Sequence, residues 1–251
     1  MAEKYPPISL GKAVENVAER CGISRADQDA FAFASQQKAG AAMREGRFKE
    51  EFVPIQVPQP KGAVVVVDTD EHPRPDTTLE QLAALKPAFK KSGTVTAGNS
   101  SGINDGAATL VLMSLSKARA LGHKQLFRIV SSVVAGVEPA YMGLGPIPVT
   151  KKALARAGLK MQDIGLIELN EAFASQSVAC VRELEIDSAI VSMNGRAIAL
   201  GHPLGCTGAR LVTTLVHEMK RRKVRYGLAT MCIGVKQGAA LIVEQIDDNT
   251  C

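Results

Sequence analysis

Apolar and polar positions divide the chain into an irregular first half and a regular second half. Residues 1–11 read as unstructured around Pro6-Pro7 and Gly11. A helix follows over residues 13–20 and stops at Cys21-Gly22. Ser24 is placed to cap a second helix running to about residue 44, since Asp27 three residues on favours a helix start; Gly46 ends it. Proline-punctuated extended chain (Pro54, Pro58, Pro60) leads to the β-branched run Val64–Val67, then an acidic loop over 68–76 and a short helix over 78–85. Residues 93–107 are crowded with Gly, Ser and Asn, and can be a surface loop or the backbone wall of a ligand path. Residues 108–114 are strand-like, and a short helix over 116–121 closes at Gly122.

From about residue 125 the pattern becomes regular. Strands are expected at 127–135, 164–169, 226–232 and 238–245, helices at 149–157, 171–184 and Thr207–Arg222, and extended chain at 189–193. The order β-α-β-α-β-α-β-β predicts an α/β fold, a mostly parallel sheet covered by helices. In such sheets ligands bind beyond the carboxyl ends of the strands.

Composition refines this picture modestly. A chain of 251 residues, 46% hydrophobic but only 4% aromatic and without Trp, builds its core from small and aliphatic side chains. The net charge of +5 is mild, and no basic block interleaved with aromatics points to nucleic acid; a polyanionic small ligand suits the sign. The basic run Lys220–Lys223 with Arg225 closes a helix and complements its dipole. Five cysteines without a C-x-x-C spacing suggest free thiols in a reducing compartment. With no apolar run near the ~18 residues of a membrane span and no signal peptide, the expectation is a soluble intracellular protein, cytoplasmic in the first instance, with mitochondrion or peroxisome open.

The chemistry gathers at strand ends. The stretch from Asn194 to Arg210 packs Gly195, Gly201, Gly205 and Gly208 around His202, just before a helix N-terminus. Asn170 sits where one expected strand passes into a helix, and Cys232 ends another, followed by Ile233-Gly234. Singly, His202 and Cys232 read as packing residues and Asn170 as a helix cap. At equivalent ends of one sheet, a thiol and an imidazole can exchange a proton and an Asn can hold an oxyanion or a water. That points to thiol-dependent acyl transfer.

The motifs Asn170-Glu171-Ala172-Phe173-Ala174, Ala199-Leu200-Gly201-His202-Pro203 with Gly205 and Gly208, and Cys232-Ile233-Gly234 resemble, in order, the three C-terminal signatures of the thiolases; residues 93–108 resemble the family's acyl-CoA segment. The resemblance runs from about Leu10 to Gln245. It implies a βαβαβαββ C-terminal domain with a mixed five-stranded sheet over 125–251, preceded by part of a loop domain (1–103) and the end of an N-terminal domain (104–124). It also implies acyl transfer between thioesters, by 3-oxoacyl-CoA thiolysis or acetyl-CoA condensation as in fatty-acid β-oxidation, with CoA as substrate and no further cofactor or metal. His202 would be the base toward a thiol, and Cys232 the proton carrier at the α-carbon. Asn170 would hold a water at the enolate oxygen, and the Gly234 N–H would serve a second oxyanion hole. The CoA path would include Arg74, Leu82, Leu85, Ala88, Phe89, Ala97, Ser101, Gly102, Met142, Ala172 and Phe173.

The resemblance carries further expectations. The family's acyl-accepting Cys has no counterpart among Cys21, Cys180 and Cys206, so an N-terminal portion is expected elsewhere, and the assembly is expected to be a homo-oligomer. Arg196 and Val235-Lys236 stand where the family has glycines or small residues, and Ser9-Leu10 stands for a frequent His-Met pair. A left-handed backbone at a β-branched Val would cost about 1–2 kcal/mol. Two alternatives stay open, a non-catalytic CoA-binding or assembly subunit and a Cys-His thioester hydrolase.

Overall fold

A mixed sheet organises the second half of the chain in this computed structural model, which describes residues 8–234 and 236–246. Its strands are β3 (Phe127–Gly136), β4 (Leu166–Leu169), β5 (Tyr226–Ile233) and β6 (Gln237–Gln245), in the order β3-β6-β5-β4. Only β4 and β5 run parallel; β3–β6 and β6–β5 are antiparallel. The sheet is therefore mixed, where strand order alone suggested mostly parallel. It has four strands, where five were expected. The fifth place, beside β4, holds a single parallel bridge between Ile167 and Val191. Residues 188–190 coil into a 3₁₀ turn capped by Asp187, and Ser192 turns left-handed (φ 44°), so the extended run expected at 189–193 shrinks to that one bridge.

Neighbouring residues on the strands face opposite layers, as a two-residue period requires. Ile167, Leu169, Leu228 and Ile242 pack with Val149 and Ala153 of α5 (Pro146–Ala157) and Cys180 of α6 (Ala174–Glu183). Leu166, Ala229 and Val243 pack on the other side against Leu211, Leu215 and Met219 of α8 (Thr207–Arg222).

The first half wraps around this core. α1 (Leu10–Arg20) and α2 (Arg25–Arg44) both pack on α6, and Ser24 and Asp27 form the reciprocal capping box at the start of α2. β1 (Ile55–Pro58) and β2 (Val64–Val67) make a separate antiparallel hairpin whose strand residues are all exposed. α3 (Leu79–Ala83) is capped by Thr78. Residues 108–114 are not a strand. Val111 and Leu112 stand 83% and 66% exposed, and β-propensity without a partner strand leaves irregular chain until Ser114 caps α4 (Leu115–Ala120). The helix expected from residue 171 begins only at Ala174, because Asn170–Phe173 is extended chain tied to the glycine-rich segment. Ser101 N–H donates to Ala172 O at 3.0 Å, and Ser100 bridges Phe173.

Candidate active site

The glycine-rich stretch before α8 places His202. After the single turn α7 (Ala197–Leu200), Gly201 adopts φ 82°, and a Cβ there would lie 2.3 Å from Asn104 Oδ1. That absent side chain lets the 102–104 segment close on the loop. His202 N–H is shared between Gly102 O and Asn104 Oδ1, both at 3.2 Å. The three carbonyls before His202 are also held: Ala199 O by His72 Nδ1 at 2.8 Å, and Leu200 O and Gly201 O by the Arg210 guanidinium at 3.3 and 3.0 Å.

The hydrogen bonds of the His202 ring define its tautomer. Nδ1 lies 2.7 Å from Thr207 Oγ1, and that hydroxyl spends its one hydrogen on Pro203 O at 2.9 Å. Thr207 Oγ1 must therefore accept, so Nδ1 carries the hydrogen. Nε2 is left with its lone pair toward Asn170 Nδ2, 3.5 Å away. Burial first, and then the nearby Arg210 charge, lower the His202 pKa below its ordinary value. The ring is thus a neutral base with an oriented lone pair.

Asn170 follows β4, its N–H donates to Thr230 O of β5 at 3.0 Å, and it is buried. Because β4 and β5 are parallel, Asn170 and Cys232 share one end of the sheet, as the strand-end reading required. Asn170 Oδ1 is buried with no protein partner, a position suited to a water or ligand donor. Cys232 lies with Met142, Ala172 and Phe173 in an apolar cluster, and burial pushes its thiol pKa up to about 11. Among the described residues no hydrogen bond joins Cys232 to His202, so the direct thiol–imidazole exchange considered from sequence has no contact to run through. Gly234 is exposed at the strand end and faces open space.

The expected CoA residues fall in two groups. Arg74, Leu82, Leu85, Ala88, Phe89, Ala97, Ser101 and Gly102 all line one cavity of about 940 Å³, with Arg74 exposed at its edge. Met142, Ala172 and Phe173 instead surround Cys232. Phe89 and Phe173 connect the two, ring centroids 6.0 Å apart in an edge-to-face pair. The 93–107 segment, open between surface loop and ligand wall, forms a wall of the cavity through Thr96 to Gly102.

The positions at and beside which glycines or small residues were expected behave differently from one another. Gly195 needs its φ of 69° and its missing Cβ, which would meet Ser35 O at 2.5 Å. Arg196 has φ −144°, so no left-handed strain arises there; its guanidinium is buried in an ion pair with Glu168. Lys236 does take φ 76°, and Val235 lies outside the described residues. Sequence reasoning passed over Thr207, Asn104, Arg210 and His72. Thr207 and Arg210 were visible in the same stretch as His202, but nothing local marks a residue that will fold back onto a distant carbonyl.

Comparisons with known proteins identify the family. The profile of the thiolase N-terminal domain matches residues 1–116 and that of the thiolase C-terminal domain residues 123–245. An acetyl-CoA acetyltransferase of Pseudomonas aeruginosa is 58% identical over 239 residues, covering 95% of this chain and 61% of that protein. The 3-oxoadipyl-CoA/3-oxo-5,6-dehydrosuberyl-CoA thiolase of Escherichia coli is 51% identical over 248 residues, covering 98% and 62%. The crystal structure of the Bacillus anthracis acetyl-CoA acetyltransferase superposes with a TM-score of 0.94 at 46% identity, covering 96% of this chain and 61% of that one. The chain thus spans about three fifths of the length of the curated relatives it matches. With both domain profiles matched along nearly its whole length, and the thiolase motifs assembled at one sheet end, the chain belongs to the thiolase family.

Proposed function

We propose that this chain carries the acid–base side of a thiolase-type acyltransferase site, acting between an acyl-CoA and CoA without a further cofactor. The observation that carries this reading is the neutral His202, anchored at Nδ1 by Thr207 and open at Nε2 beside Asn170. In the cleaving direction His202 takes the proton of the attacking thiol. The C2–C3 bond of a 3-oxoacyl-CoA breaks, and its electron pair passes to the acetyl-thioester enolate. Asn170, through a water shared with His202, stabilises the enolate oxygen. Cys232, protonated at neutral pH because of its burial, hands its proton to the α-carbon. The Cys232 thiolate left behind then takes the proton of the CoA thiol, the CoA sulfur displaces the acyl-accepting sulfur from the shortened acyl group, and that leaving thiolate takes back the proton held on His202. Condensation reverses these steps.

The acyl-accepting cysteine is not among the described ones. Cys180 is buried with its thiol pKa pushed well up, Cys21 is an exposed helix cap, and Cys206 begins α8. The relatives' names give acetyl-CoA in one case and 3-oxoadipyl-CoA in another. The shared acetyl unit is the one this site would handle. Self-association is part of the reading, supported by the hairpin β1–β2, whose valines Val64–Val67 are 48–56% exposed.

The α-proton step can be tested without the acyl acceptor. The chain incubated with acetyl-CoA in D₂O should exchange the acetyl hydrogens, followed by NMR. Cys232→Ala and His202→Ala should each slow exchange by about 10²–10⁴. No exchange above the buffer rate, or full exchange in Cys232→Ala, overturns the assignment.

A further inference from the structure

His72 is a polar side chain of the cavity wall that the mechanism leaves unused. Its Nδ1 faces the Ala199 carbonyl at 2.8 Å, and a carbonyl can only accept, so Nδ1 carries the ring hydrogen. In the neutral ring, Nε2 is then the acceptor. That nitrogen stands over Gly102, where a Cβ would come within 2.6 Å of it, on the same wall as Ser101 and Phe89. Gly102 in turn accepts from His202 N–H through its carbonyl. One face of the imidazole therefore holds the loop that ends in His202, and the other overlooks the ligand cavity.

Resting on the proposed CoA-thioester reading, we propose that His72 is a specificity-determining residue, whose Nε2 accepts a hydrogen bond from an amide N–H of the pantetheine arm as it crosses Gly102. The requirement for glycine at 102 follows, since any side chain there would occupy the approach to Nε2. Of the cavity's other polar side chains, Gln36, Gln81, Thr96 and Ser100 already bond backbone groups, so an oriented acceptor at His72 can set the rotation of the arm and its reach toward Asn170 and Cys232. The Nδ1–Ala199 bond fixes the ring in advance, so the ligand need not order it.

The two ring nitrogens can be separated by substitution. His72→Asn keeps a donor at the Nδ1 position and removes the acceptor. His72→Gln can place its amide oxygen near Nε2 and gives up the Ala199 contact. Measured by calorimetry on the full chain with CoA as probe, His72→Asn should weaken binding roughly two- to tenfold, the effect of one neutral hydrogen bond, while His72→Gln stays within about twofold of wild type. A CoA analogue with an ester in place of the contacted pantetheine amide should lose the same factor on wild type and nothing more on His72→Asn. Equal CoA affinity of His72→Asn and wild type overturns the assignment, as does an ester penalty undiminished in His72→Asn for each pantetheine amide. A chain that binds CoA to neither form counts against the acyl-CoA reading itself and removes the inference with it.

Discussion

Replacing Arg196 by Met tests how the glycine-rich loop is anchored. Arg196 and Glu168 are 1% and 0% exposed, and they form an ion pair between the loop and β4. Removing the guanidinium leaves a carboxylate in the core, a change that costs about 3–5 kcal/mol. For a chain of this size that corresponds to a fall of roughly 6–20 °C in thermal midpoint. The pair is nevertheless imperfect, since Arg196 Nη1 and Nη2 and Glu168 Oε1 have no partners. Burial raises the Glu168 pKa more than the neighbouring Arg196 lowers it. The native carboxyl therefore already favours its proton relative to water, and the ion pair does not fully offset its desolvation. Two outcomes follow. Glu168→Met combined with Arg196→Met should restore stability to wild type or above. The single-variant deficit should also widen as pH rises, because a carboxyl with a raised native pKa contributes stability below the unfolded value and loses it through the native one. Thermal and urea unfolding at several pH values, with the double-mutant cycle, measure both. An Arg196→Met protein as stable as wild type, or a double variant no better than the single, refutes the reasoning.

Other consequences are as direct. Thr207→Val removes the acceptor that orients His202 Nδ1, and should slow α-proton exchange by about 10²-fold with CoA affinity intact, as measured by NMR and calorimetry. Because burial and Arg210 depress the His202 pKa, the acid limb of that exchange should lie below about pH 6.5, and Arg210→Gln should move it upward. Burial raises Glu171 to about 7 against the hydrogen bonds from Ser35 and Ile198 N–H, so its contribution to stability is lost as pH rises from the carboxylate range through about 7. Glu171→Gln should flatten that part of the unfolding-versus-pH curve. Among the described cysteines, alkylation with mass mapping at pH 7.5 should label the exposed Cys21 first and the half-exposed Cys206 next, leaving Cys180 and Cys232 unlabelled while the fold is intact.

What could be read from the chain alone was what nearby residues decide. Ser24 with Asp27 marks the start of α2, Thr78 the start of α3, and the apolar period marks α8 residue for residue. These signals act across a few positions and need no tertiary partner. His202, Asn170 and Cys232 were also legible, because a strand passing into a glycine-rich loop or a helix is a local event. The errors lie where a distant partner decides. Residues 108–114 have strand composition but no strand beside them among the described residues. The 189–193 segment meets β4 at Val191 alone, and the antiparallel return of β6 between β5 and β3 cannot be seen in strand order.

The same division runs through the site. Composition, caps and motif spacing were enough for an α/β fold and for the three residues facing one sheet end. Long-range pairing alone decided which nitrogen of His202 is free, that Arg196 is buried against Glu168 with no left-handed backbone, and that His72 reaches from the acidic loop to a carbonyl 127 positions away. The physical reason is range. Backbone propensity is settled within one or two turns, whereas a tautomer or a buried charge depends on whichever acceptor or counter-ion the fold brings within about 3 Å.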